Sequence, residues 1–101
     1  MVEGSAFVAA PSGGMTLAQM GAEVIRFDQL GGGIDYKRWP LTEDGISLYW
    51  NGLNRGKKSV VADLRAPEIQ NLLSELIATS GNFLTNFPSK GWLSYEKLSE
   101  K

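Results

Sequence analysis

Apolar positions along this chain fall into short runs separated by polar, glycine-rich stretches, with one long helical stripe. Ile69, Leu72, Leu73, Leu76 and Ile77 recur at i, i+3, i+4, i+7 and i+8, which is one face of a 3.6-residue period. Pro67 suits the first turn of that helix, Glu68 suits its positive end, and Gly81 stands where a left-handed cap would close it. Ala22 to Phe27 (AEVIRF) reads as a strand buried on both faces, the kind found in parallel sheets. Before it, Pro11 to Met20 predicts a helix. Gly13 and Gly14 each weaken that helix by about 1 kcal/mol relative to Ala, a cost tolerated where backbone must approach a sheet or ligand closely. Ala6 to Ala10 reads as a strand end or the loop leaving one.

Gln29 to Gly45 predicts a long polar loop, and a loop of that length in a small domain is usually functional or mobile. Ile46 to Leu53 fits a helical turn or a short strand equally. Ser59 to Leu64 and Asn82 to Phe87 predict two more strands, the second ended by Pro88, and a charged, weakly apolar helix runs from Ser94. The alternation implies an α/β fold with parallel strands and right-handed crossovers. A single domain over 1–101 is expected, incomplete at both ends: the chain starts inside what should be the first strand, and its last helix has few apolar residues to anchor it.

Composition narrows the chemistry. Hydrophobic residues are 43% and charged residues 21%, ordinary for a folded domain. Ten Lys+Arg stand against eleven Asp+Glu, a balance that disfavours a general nucleic-acid binder. There is no cysteine and no histidine, which removes disulfides, thiolate metal sites, Cys nucleophiles and His-based triads. No apolar run approaches the roughly 18 residues that cross a bilayer, and no secretory signal is visible, so a cytoplasmic protein without membrane or nucleic-acid partners is expected.

The stretch NRGKKS at 54–59 invites an anion-binding reading, yet it lacks the P-loop spacing. The plain alternative is a basic turn with its charges in solvent. Gly31–Gly33 do not form a dinucleotide fingerprint, so nicotinamide binding has no support. Trp39 and Trp50 are expected in a core or interface rather than as stacking platforms. Asp28, Asp35 and Asp63 read as isolated strand-end caps and loop acids, and no metal site or catalytic group is assigned. Parallel α/β sheets bind ligands at the carboxyl ends of their strands, where the Asn86 amide could hold a ligand or merely its own loop.

Three ordered stretches, GGMTLAQMGAEVIRFD, LNRGKKSVVADLRAPE and LTNFPSKGWLSYEKL, resemble the N-terminal part of the family III CoA transferases, the CaiB–BaiF family. The shared pattern is LA-x-x-GA-x-VI-(K/R)-(I/F)-(E/D), then N-(R/K)-G-K-(K/R)-S-(I/V)-x-x-D-L, then a strand ending in N-F. The resemblance implies a Rossmann-like parallel sheet with flanking helices, a truncated part of the family's large domain. It implies CoA or acyl-CoA as substrate, no covalently bound cofactor, and either a homo-oligomer or a missing C-terminal portion. EGSAFVAAP and GGGIDYKRWP look most like members that move CoA between the two carboxyls of a mesaconyl-CoA-like ester. By position, the implied CoA contacts are Phe7, Val8, Gln29, Ala62, Arg65, Asn86 and Phe87, with Lys90 beside them. Gln29 stands where the family often has Arg. The family's catalytic aspartate matches no residue here, so the implied chain is a CoA-binding portion inactive alone, or a self-associating module that keeps only the scaffold.

Overall fold

The structure is a computed structural model and describes residues 1–33 and 35–100. In chain order it contains β1 (Val2–Gly4), α1 (Ala9–Gln19), β2 (Ile25–Asp28), α2 (Leu48–Leu53), β3 (Lys58–Val61), α3 (Pro67–Ser80), β4 (Phe83–Thr85), a 3-10 turn (Gly91–Leu93) and α4 (Tyr95–Ser99). The four strands form one sheet in the order β3-β2-β1-β4, and every pairing is parallel. Val2 pairs with both Ile25 and Phe83, which makes the three-residue β1 the centre of the sheet. The α/β architecture expected from the alternation is present.

Side-chain alternation gives the sheet two unlike faces. Val2 and Phe27 point to one face and form the core with Leu73 and Ile77 of α3. Phe27 stacks on Phe83 at 6.0 Å and meets Trp92 at 6.1 Å, which ties the 3-10 turn to the same core. Glu3, Ser5, Arg26 and Asp28 occupy the alternate positions and are also buried. The strand predicted at 22–27 is therefore covered on both faces, but one of its faces is charged.

Several boundaries differ from the sequence reading. α1 starts at Ala9 rather than Pro11, leaving the proline in the first turn, where helical N–H groups lack partners anyway. The segment 6–10 is thus a loop followed by helix. Within 46–53 the helical alternative holds from Leu48 on, because the Ser47 hydroxyl caps α2 by accepting from the Trp50 N–H at 3.0 Å. β3 ends at Val61, three residues early, since Ala62 already turns away after donating its N–H to the Asp28 carbonyl. It is an exposed edge strand along its whole length. α3 runs as its period predicts and Gly81 closes it with φ 78°, but Leu72 is exposed, so the buried stripe is Ile69, Leu73, Leu76 and Ile77.

Candidate functional site

The order β3-β2-β1-β4 places the sheet's switch point between β1 and β4: the chain winds outward from β1 through β3, then crosses back to the other side of β1. At such a point the loops leaving adjacent strands diverge and open a crevice at their carboxyl ends. Here the two loops are pinned together by the Asn86 side chain. Its Oδ1 accepts the Ala6 N–H at 3.0 Å and its Nδ2 donates to the Ala6 carbonyl at 2.7 Å. Of the two uses the sequence left open for this amide, its protein-bound one is the backbone of β1's exit rather than its own loop.

A cavity of about 260 Å³ opens beside this pair, bordered by Ser5, Ala6, Gln29, Gly33, Leu64 and Phe87. Gln29 and Phe87 therefore meet at one place, although 58 positions separate them (87 − 29). Phe7 and Val8 follow Ala6 and are exposed at the same end of the sheet. Ala62 follows β3 and is tied to the end of β2 through Asp28. Arg65 is 94% exposed, with Asp63 3.9 Å away as its loose partner. Lys90 lies beyond Pro88, exposed and extended. A larger hollow of about 500 Å³ lies off the β4 edge, against α3 and α4, and is lined mainly by apolar groups such as Ile77, Phe83 and Leu98.

Phe7 has φ 66°, a left-handed backbone that non-glycine residues rarely adopt. Asp35 holds it there: the carboxylate, 4% exposed, accepts the Phe7 N–H at 2.6 Å and pairs with the Arg38 guanidinium at 3.2 Å. Asp35 is thus no isolated loop acid, as the sequence had suggested. The 29–45 excursion returns to the sheet to fix the β1–α1 turn. Trp39 on this excursion is exposed, which removes the core half of its expected core-or-interface placement, whereas Trp50 is half-buried over Arg26.

The charged face of the sheet carries a network that the sequence did not reveal. Arg26 donates through all three guanidinium nitrogens, to Asp28, Glu3, Ser5 and Asn54, while its plane rests 4.3 Å from the Trp50 ring centre. Lys57 reaches in from the basic turn and donates to Glu3 at 2.8 Å, Asn54 at 2.8 Å and the Pro11 carbonyl at 2.9 Å. Its side chain is 2% exposed. The plain reading of NRGKK as solvated charge fails for this lysine, because its three donors are spent inside the protein. Lys58, by contrast, lies at the surface and pairs with Glu23.

α1 lies against this face at Gly14. A Cβ there would sit 1.7 Å from Glu3 Oε1, so only glycine lets the helix approach the carboxylate. That oxygen is buried, and among the described residues no group donates a hydrogen bond to it. Burial pushes the Asp28 carboxyl above its ordinary range, against the hydrogen bonds and charge of Arg26. Burial likewise lowers the Lys57 ammonium, against the hydrogen bond and charge of Glu3. Two cations and two carboxylates thus neutralise one another beneath α1. Among the described residues no cluster of His, Cys, Asp or Glu converges as a metal site, and no helix is long and apolar enough to cross a membrane.

A parallel sheet in this order, flanked by helices and open at its switch point, is an α/β domain of the Rossmann-like class. The sequence profile of CoA-transferase family III matches residues 1–101, and the chain belongs to that family. It is 63% identical to 2-methylfumaryl-CoA isomerase of Chloroflexus aurantiacus, over 97% of this chain and 25% of that protein. It is 38% identical to succinate–glutarate CoA-transferase of Agrobacterium fabrum, over 94% of this chain and 26% of that one. A crystal structure of a CaiB/BaiF family protein from Brucella suis superposes with a TM-score of 0.80 at 33% identity, covering 98% of this chain and 29% of that one. The chain spans about a quarter of the length of the curated relatives it matches.

Proposed function

We propose that this chain binds the CoA moiety of an acyl-CoA ester in the crevice at the carboxyl ends of β1 and β4, as the N-terminal CoA-binding portion of a family III CoA transferase or isomerase. The observation that carries this reading is the Asn86–Ala6 pairing at the switch point, which joins the exit of β1 to the third of the family-like stretches at one open cavity. Phe7, Val8 and Phe87 supply apolar surface for the pantetheine arm, while Gln29, Asn86 and the Ala62 backbone supply polar contacts. Arg65 and Lys90, both exposed, suit the CoA phosphates. Similarity to an isomerase of a methylfumaryl ester supports a mesaconyl-CoA-like substrate. No residue of this chain matches the family's catalytic aspartate, so the isolated chain binds without transferring CoA. Calorimetric titration with CoA tests the reading. Saturable heat supports it, and none at millimolar CoA removes it.

A second reading, self-association through the scaffold, is favoured by Val60 and Val61 exposed on the edge strand β3. Light scattering that finds only monomer at high concentration would remove it.

A further inference from the structure

Three arginines illustrate three fates for a guanidinium here. Arg26 is buried with every nitrogen engaged. Arg65 is in solvent. Arg38 is neither: its side chain is 48% exposed and its Nη1 is anchored on Asp35. Among the described residues, its Nε and Nη2 donate to no protein group.

Two aromatic rings border Arg38. Its guanidinium carbon lies 5.6 Å from the Phe7 ring centre and 4.7 Å from that of Tyr49. Rings beside a guanidinium displace water from its faces and leave its in-plane N–H groups available. Asp35 takes one of those groups and also holds the Phe7 N–H, so Arg38 is anchored to the turn that leaves the switch point. Gly33, two residues before Asp35, and Ala6, just before Phe7, both border the crevice cavity. The result is an oriented cation, anchored next to two residues that border the cavity, with a two-donor edge that meets no acceptor among the described residues, the geometry that fits a carboxylate side-on.

We propose that Arg38 receives a free carboxylate on the acyl group, so that the site takes thioesters of dicarboxylic acids in preference to monocarboxylic ones. This rests on the CoA-binding reading and names the residue that selects the acyl part. A guanidinium also suits a phosphate of CoA itself, and the ligands of the test separate the two sources.

The test compares binding of CoA, butyryl-CoA and succinyl-CoA, acyl chains of equal length differing in the terminal carboxylate, to the unaltered chain, R38Q and R38K. The unaltered chain should prefer succinyl-CoA to butyryl-CoA by about tenfold, the size of one charge-assisted contact at a half-exposed site. R38Q should abolish that preference while CoA and butyryl-CoA keep their affinities, and R38K, lacking the planar fork, should keep only part of it. Equal weakening of all three ligands by R38Q assigns Arg38 to phosphate and overturns the proposal. So does an unaltered chain with no preference, which decides the matter even if R38Q fails to fold. An unaltered chain that binds CoA yet shows neither effect refutes this inference alone, whereas one that binds none of the three refutes the CoA reading beneath it.

Discussion

Asn86 reads both sides of the Ala6 peptide, accepting its N–H at 3.0 Å and donating to its carbonyl at 2.7 Å across 80 positions of sequence. A side-chain amide thus replaces one step of backbone pairing where β1 and β4 part. Asn86→Ala leaves both Ala6 groups without their partner at a partly buried place. It should cost about 1–3 kcal/mol in a urea unfolding midpoint. A variant as stable as the parent would show that the pairing is incidental.

Glu3 balances Arg26 and Lys57 inside the sheet's charged face. Removing one partner of a buried ion network strands the others, so Glu3→Gln should destabilise the fold by about 3–5 kcal/mol. Lys57→Met should be costly for the same reason. Losses below about 1 kcal/mol, the range of exposed pairs, would mean that water reaches these groups.

Gly14 gives α1 its close seat over Glu3. Gly14→Ala raises helix propensity, yet forces a methyl group into the carboxylate. The clash should win, with a net loss of about 1–3 kcal/mol rather than the gain of about 1 kcal/mol that propensity alone predicts. Thermal unfolding of the two proteins decides the sign.

Asp28 and Lys57 give stability a definite pH dependence. The folded-state value of Asp28 lies above 3.8, so the folded protein holds this proton more tightly than the unfolded chain does. Its contribution to stability is therefore present below 3.8 and falls as pH rises through the raised value. Lys57 is lowered from 10.5, so the folded protein gives up its proton more readily, and its contribution grows as pH rises from the lowered value toward 10.5. Urea midpoints across mildly acidic pH, compared with Asp28→Asn, should show the parent losing stability relative to the variant as pH increases. The opposite slope would mean that the Arg26 pairing outweighs burial.

Much of this architecture was legible because it is local. α3 follows from a 3.6-residue stripe bounded by Pro67 and Gly81, and the parallel order follows from the alternation of short apolar runs with helix. Leu72 was misplaced because its spacing fits the stripe while its direction points away from the core. The charged face was not legible, since Glu3, Arg26 and Lys57 meet only after three segments fold together. A signal was present nonetheless: Glu3 and Arg26 are opposite charges inside VEG and IRFD, strands short and apolar enough to be central, near the paired glycines of α1. Asp35 and Arg38 lay at a spacing of three in a loop with no period to interpret, so their hold on Phe7 needed coordinates.

The central claim, that CoA occupies the strand ends, is tested most directly by amide chemical shifts of the isotopically labelled chain titrated with CoA. Saturable shifts should cluster at Phe7, Val8, Gln29, Ala62, Arg65 and Phe87, with the Asn86 side-chain amide among them, and leave the amino ends of the strands unmoved. Shifts confined to the hollow between α3 and α4, or none at millimolar CoA, would contradict it.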